Sequence, residues 1–183
     1  MSDQPVRFSV LQRILHWLIA IMVLAMLFIG VAMVSIVGPA FITLVDIHKP
    51  LGVAIFALVL IRLVVRLRRG APPLPADLSP VQSTAAHLSH LLLYALLVLM
   101  PLIGWGMLSA GGYPVVLSSG VQLPSILPHL DWLHADLRRA HTLLAYLLFA
   151  VILMHVAAAL FHGLIRRDGV LESMASVKRE RFG

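Results

Sequence analysis

The chain contains no cysteine. Disulfides, iron–sulfur clusters and haem attached covalently at a C-x-x-C-H motif are therefore excluded. Charge is scarce as well. Only 12% of the residues are Asp, Glu, Lys or Arg, against about 25% in a soluble domain. Acids are the scarcer sign, eight against fourteen basic residues, which leaves a formal net charge of +6. Polar linkers of the soluble kind are missing too. What fills the 183 residues is apolar: 60% are hydrophobic and the mean hydropathy is +0.97. A single small core cannot hide that much apolar surface from water, so lipid must be the solvent.

Four apolar runs stand out, at about 10–37, 41–67, 85–110 and 137–165. Each exceeds the ~20 residues that cross ~30 Å of hydrocarbon. A segment in lipid must satisfy its own backbone hydrogen bonds, so all four are expected as helices. The first run has no small-residue cleavage site and is too long for a signal peptide, so it is expected to be a retained span. The expected fold is an all-α membrane protein, a four-transmembrane-helix bundle forming one domain over 1–183, with a polar tail at 168–183.

The basic residues orient it. Arg7 and Arg13 precede or open span one. Arg62, Arg66, Arg68 and Arg69 end span two, and Arg166, Arg167, Lys178, Arg179 and Arg181 follow span four. Only Lys49, Arg138 and Arg139 lie at the other face. The positive-inside rule puts both termini and the Gly70–Pro80 turn in the cytoplasm. The excess charge is a topology signal, and no nucleic-acid partner is expected. The longest connection, 111–132, faces outward. Its three prolines leave room for no more than a short surface helix.

Histidine carries the chemistry. His141 and His155 are fourteen residues apart in span four, close to four helical turns, so both rings leave one face about 21 Å apart along the axis. Topology sets the depth of the others. His16 shares the cytoplasmic half with His155, and His48 shares the outer level with His141. The four therefore pair as His16 with His155 and His48 with His141. Neutral imidazole is a common haem ligand and is costly to leave alone in lipid. Two imidazoles per iron leave it six-coordinate, which suits electron transfer. A lone membrane histidine also bonds neighbouring helices or joins a proton relay. Zinc or copper fits less well, because two imidazoles make a poor site. Gly52 and Gly104, near the outer level, offer space either for a flat macrocycle or for close helix packing.

The remaining histidines are less specific. His162, seven residues past His155, is a candidate for a quinone headgroup or an interfacial position. His87 and His90 open span three and are candidates for a haem propionate, for quinone, or for replacing a ligand. The alternative is a polar helix entry. Arg13, with Arg62 and Arg66, is a propionate candidate. Lys49, Arg138 and Arg139 are candidates for steering an anionic donor, or for holding propionates and lipid headgroups. His129 and His134 are expected in solvent, and Trp17, Trp105 and Trp132 at the interfaces.

On these residues the chain resembles the bacterial cytochrome b561 family, small di-haem proteins related to hydrogenase cytochrome b subunits. The matching stretches are RILHW around His16, DIHKPLG around His48, HLSHLLLY opening span three, RRAHTLLAY around His141 and MHVAAALFH ending in His162. The likeness covers all four spans. It implies two non-covalent haems b, one toward each membrane face, with His16, His48, His141 and His155 as axial ligands. It implies residence in the bacterial inner membrane among lipid. Likeness to the stand-alone members further implies an oxidoreductase that passes electrons from a small periplasmic donor or redox protein, superoxide included, to ubiquinone, with His162 at the position associated with quinone. Thr142 and Ala140 depart from the family pattern, which leaves the outer donor open. Two other readings stand beside this one. The chain could be a haem-bearing anchor subunit fed by a docked dehydrogenase or hydrogenase, or a haem-free transporter.

Overall fold

The computed structural model describes residues 7–117 and 120–175. Lys178, Arg179 and Arg181, counted above as topology signals, and the end of the polar tail lie outside the described residues. Four long helices dominate: α1 (Val10–Ser35), α2 (Pro39–Arg69), α3 (Pro80–Ala110) and α4 (Asp131–Leu160). The last continues into a π-helical turn, Phe161–Arg166, and a short helix α5 (Val170–Ala175) follows. All four long helices are apolar and long enough to cross a membrane.

Local chemistry sets the helix ends. Ser9 caps α1 in a capping box with Gln12, and Ser79 caps α3 in the same way with Gln82. These reciprocal bonds satisfy amides that the first turn leaves open. Gly38 turns the chain at φ +101° before α2, and Pro39 opens that helix with its fixed φ. α2, α3 and α4 all outrun the apolar runs that announce them. α4 starts six residues earlier than expected, at Asp131, whose carboxylate suits a helix N-terminus.

α1 packs chiefly on α2, and α3 on α4, with α2 and α3 joining the two pairs. The buried core is small and central: Ile19 and Val23 of α1, Ile55 and Val59 of α2, Leu96 of α3, and Leu148 and Val151 of α4. Large side chains such as Phe28 and Val34 are exposed, as lipid-facing residues should be.

The outer connection is not a surface helix. It forms a two-stranded antiparallel ribbon, β1 (Val115–Val116) against β2 (Gln122–Leu123). Three bonds tie it to the end of α3: Trp105 Nε1 donates to the Pro124 carbonyl (2.9 Å), the Ile126 amide to Ser109 Oγ (3.2 Å), and the Leu130 amide to the Ala110 carbonyl (3.0 Å). On the other side, α5 folds back onto the start of α1. Trp17 Nε1 donates to the Met174 carbonyl (3.2 Å) and the Phe8 amide to that of Ser173 (3.3 Å). A side chain at Gly163 would collide with Leu171, so this glycine lets α5 close on the bundle.

Candidate functional site

The two predicted pairs meet. His16 of α1 and His155 of α4 have ring centroids 6.3 Å apart, and His48 of α2 and His141 of α4 are also 6.3 Å apart. The rings in each pair stand edge to face, with their planes 74° and 64° apart, near the long end of ring-contact distances. A single metal atom between two imidazoles, with bonds of about 2 Å and about 1 Å more to each ring centre, sets centroids about 6 Å apart. The backbones behind each pair also stand apart. The α4 backbone runs closest to α3 and stands off from α1 and α2, which it meets through side chains such as Ile152, so its histidines reach across from one backbone to another. The apolar core fills the bundle between the two levels.

The outer pair is poor in polar partners. His48 Nδ1 is buried and has no hydrogen-bond partner among the described residues. His141 Nδ1 is buried as well and likewise has no hydrogen-bond partner among the described residues. An unpaired buried polar group costs about 1–3 kcal/mol. Two rings held this way, at metal-bridging separation, fit a group that sits between them. Gly104 makes the room, since a Cβ there would lie 3.3 Å from His141 Cε1. Gly52 does a different job: its added Cβ would make an ordinary 3.7 Å contact with Met26, so it serves α1–α2 packing.

The inner pair is embedded in polar groups. His90 of α3 lies 5.5 Å, centroid to centroid, from His155 and donates Nδ1–H to the Ala86 carbonyl (2.7 Å). Arg62 donates to the carbonyl of buried Gln12 (2.7 Å). Arg13, three residues before His16, is half-buried and partnered. Arg66 sits 6.0 Å over the Phe8 ring. His87 is not part of this group. It is exposed, and its Nδ1–H goes to the Ser83 carbonyl (2.7 Å), which makes it a polar helix entry.

His162 belongs to a network that reading the sequence missed. Its Nδ1 lies 2.6 Å from Asp168 Oδ2, the same oxygen accepts from Arg166 Nε (2.9 Å), and Arg166 Nη2 reaches Asp77 Oδ2 (2.5 Å). Burial alone would raise the Asp168 carboxyl, but hydrogen bonds from His162, the Val170 amide and Arg166 outweigh it and hold it below the ordinary carboxylate value. Only the His162–Asp168 spacing could have hinted at this.

Two other expectations need correction. His134 is not in solvent. It is half-buried against Tyr113 with Nδ1 bonded to the Met107 carbonyl (2.8 Å), because the outer connection folds onto α3. The outer cations are also less free than a count of bases suggests. Lys49 pairs with Asp46 (3.3 Å) and Arg139 with Asp136 (3.7 Å), whereas Arg138 has no ion pair among the described residues. Three outer acids, Asp46, Asp131 and Asp136, balance the three outer bases.

Paired imidazoles at two depths of an apolar helical bundle fit a membrane protein that holds metal cofactors between its helices. The comparisons make that class specific. The profile of the prokaryotic cytochrome b561 family matches residues 7–176, and the chain belongs to this family. It is 31% identical to a Yersinia pestis protein described as a probable superoxide oxidase CybB, over 94% of this chain and 98% of that one. It is 30% identical to cytochrome b561 homolog 2 of Escherichia coli K12, over 100% and 98%, and 26% identical to homolog 1, over 92% and 96%. The protein is thus a multi-pass bacterial inner-membrane cytochrome that binds haem b and works in electron transport.

Proposed function

We propose that this cytochrome carries two haems b, held by His48/His141 and His16/His155, and moves electrons from a small donor at the outer face to membrane quinone at the cytoplasmic face. The observation that carries the proposal is the shared 6.3 Å separation of two histidine pairs that join three different helices. When bound, haem b supplies reversible one-electron iron chemistry. The chain's own part is to position and to exclude. The four histidines would hold the haems, the apolar core between the levels keeps water out, and Gly104 leaves space for the His141 ring.

A periplasmic anion such as superoxide is the donor this reading favours, supported by the likeness to a probable superoxide oxidase. The outer face has no net charge, so attraction for the anion is local to Arg138, with Arg139 and Lys49 partly neutralised by their acids. At the inner face His162, beside the His16/His155 level, is the quinone candidate, with His90 and Arg13 nearer the inner haem.

The test is an absorption spectrum of the purified protein, oxidised and reduced, with a pyridine haemochrome count, followed by superoxide-driven quinone reduction. Two b haems per chain and turnover without any partner protein are expected. A single haem would remove one pair. Two haems with turnover only after a dehydrogenase is added would favour the anchor-subunit reading.

A further inference from the structure

Charge at the inner end does not balance as it does at the outer end. Among the described residues the inner end carries eight arginines, at 7, 13, 62, 66, 68, 69, 166 and 167, against three acids, Asp77, Asp168 and Glu172. Asp77 and Asp168 both pair with Arg166. Arg7 and Arg69 have no ion pair among the described residues. Both line one cavity of about 250 Å³. It lies where α1 begins and α2 ends, with Arg7, Ser9 and Gln12 on one side and Arg69, Gly70 and Pro72 on the other. The two walls are tied together. Buried Gln12 donates Nε2–H to the Gly70 carbonyl (2.9 Å), and its Oε1 accepts from the Ser9 amide and hydroxyl (both 3.0 Å). Gly70 turns the chain at φ +69°, and nothing lies within 4 Å of where its Cβ would stand. The neutral polar groups of the walls thus bond one another, and the two guanidinium groups are left over.

Two arginines on a cavity without an acid call for an anion. The guanidinium fork matches phosphate oxygens closely. The volume is below the ~300–1,000 Å³ of sites for drug-sized ligands, which suits a headgroup rather than a whole cofactor. Its level points to the source. The cavity sits at the ends of two membrane helices, on the side where the arginines gather, and that is the level of the lipid phosphates. Along the same helices Val10, Ile14 and Leu67 are exposed and offer apolar contact to acyl chains. We propose that this cavity binds the phosphate of an anionic phospholipid, of the phosphatidylglycerol or cardiolipin kind, with Arg7 and Arg69 as its ligands. A zwitterionic lipid fits less well, because its ammonium would stand beside two guanidinium groups. A free phosphate offers the same oxygens but none of the chain contacts. The bound headgroup bridges the start of α1 to the end of α2, one turn from His16 through Gln12.

The experiment titrates delipidated holoprotein in neutral detergent with dioleoylphosphatidylglycerol or dioleoylphosphatidylcholine and reads bound lipid by native mass spectrometry. The haem spectrum checks folding throughout. The wild type should retain the anionic lipid in preference to the zwitterionic one. Arg7→Gln together with Arg69→Gln should weaken phosphatidylglycerol about thirtyfold, at about 1 kcal/mol per arginine. Each single substitution should cost about fivefold, which keeps the test open if the double variant loses its haem spectrum. Arg7→Lys/Arg69→Lys, which keeps the charge, should keep most of the affinity. Arg68→Gln/Arg167→Gln removes the same charge away from the cavity and should have little effect. Equal weakening in the two Gln double variants shows diffuse surface attraction and overturns the site. Equal retention of both lipids by the wild type overturns the anionic headgroup. Displacement of the lipid by millimolar inorganic phosphate assigns the arginines to a free anion and overturns the lipid as its source.

Discussion

The outer and inner histidine pairs have the same separation and opposite surroundings. Around His48 and His141 the two Nδ1 atoms are buried without a hydrogen-bond partner among the described residues, and the nearby ion pairs offset one another. Around His16 and His155 there is a third histidine, Arg62 bonded to a buried carbonyl, and the His162–Asp168–Arg166 network a little further out. The contrast teaches that the ring-to-ring spacing alone does not decide what each end does. On the proposed function, an outer end that is poor in polar partners and electrically balanced suits exchange of an electron alone. A hydrogen-bonded end suits exchange of an electron with a proton.

The largest expected effect separates the two ends outright. His48→Ala should remove one haem per chain, halving the haemochrome count and deleting one component from a potentiometric titration. Survival of both components would break the outer pairing. His155→Ala puts the contrast under more strain, because His90 stands 5.5 Å from the lost ring. Partial retention of the second haem is expected there, with an altered spectrum, and His155→Ala/His90→Phe should lose it.

Smaller effects sharpen the contrast. Arg138→Gln together with Arg139→Gln should slow reduction by superoxide about tenfold at low salt and flatten its salt dependence. The rate of quinone reduction from pre-reduced protein should not change. An unaltered superoxide rate would leave these arginines as headgroup ligands. Gly104→Ala should disturb the outer haem alone, shifting its potential or occupancy, because the new Cβ meets His141 at 3.3 Å. Gly52→Ala should be harmless or stabilising by about 0.5–1 kcal/mol, since it relieves a helical glycine without a clash.

The smallest effect is one of pH. Asp168 titrates below its ordinary value of 3.8 in the folded protein. Its bonds therefore contribute fully above that value and are lost as pH falls through the lower, folded value. Acidification below about pH 4 should loosen α5, seen as a change in Trp17 fluorescence when its bond to Met174 opens. In Asp168→Asn that step should vanish, and haem at the outer end should not respond. A step of equal size in the variant would place its origin elsewhere.

Much of this was legible in the sequence, for identifiable reasons. The basic residues give an expected topology and the topology an expected depth, and from depth His16 pairs with His155 and His48 with His141, the pairs that the structure brings together. The family resemblance rests on the same stretches. What was not legible depends on contacts without a period. Two-residue strands such as 115–116 leave no alternation to read, and His134 becomes buried only because the outer connection folds over α3. Asp168 reads as the start of a polar tail. Its link to His162 exists only after a π-helical turn and a left-handed residue reverse the chain, and neither has a sequence signature here. Counting Lys49, Arg138 and Arg139 without Asp46, Asp131 and Asp136 made the outer face look cationic.

α4 contributes one ring to each pair, four turns apart on a single rod. The register of that rod is therefore one variable shared by two sites. On the proposed ligation, once one pair closes on an iron, the height and rotation of α4 are set, and the second pair is already aligned. Assembly of the protein is then a problem of seating one helix correctly, and a slip of one turn would be rejected at both ends together.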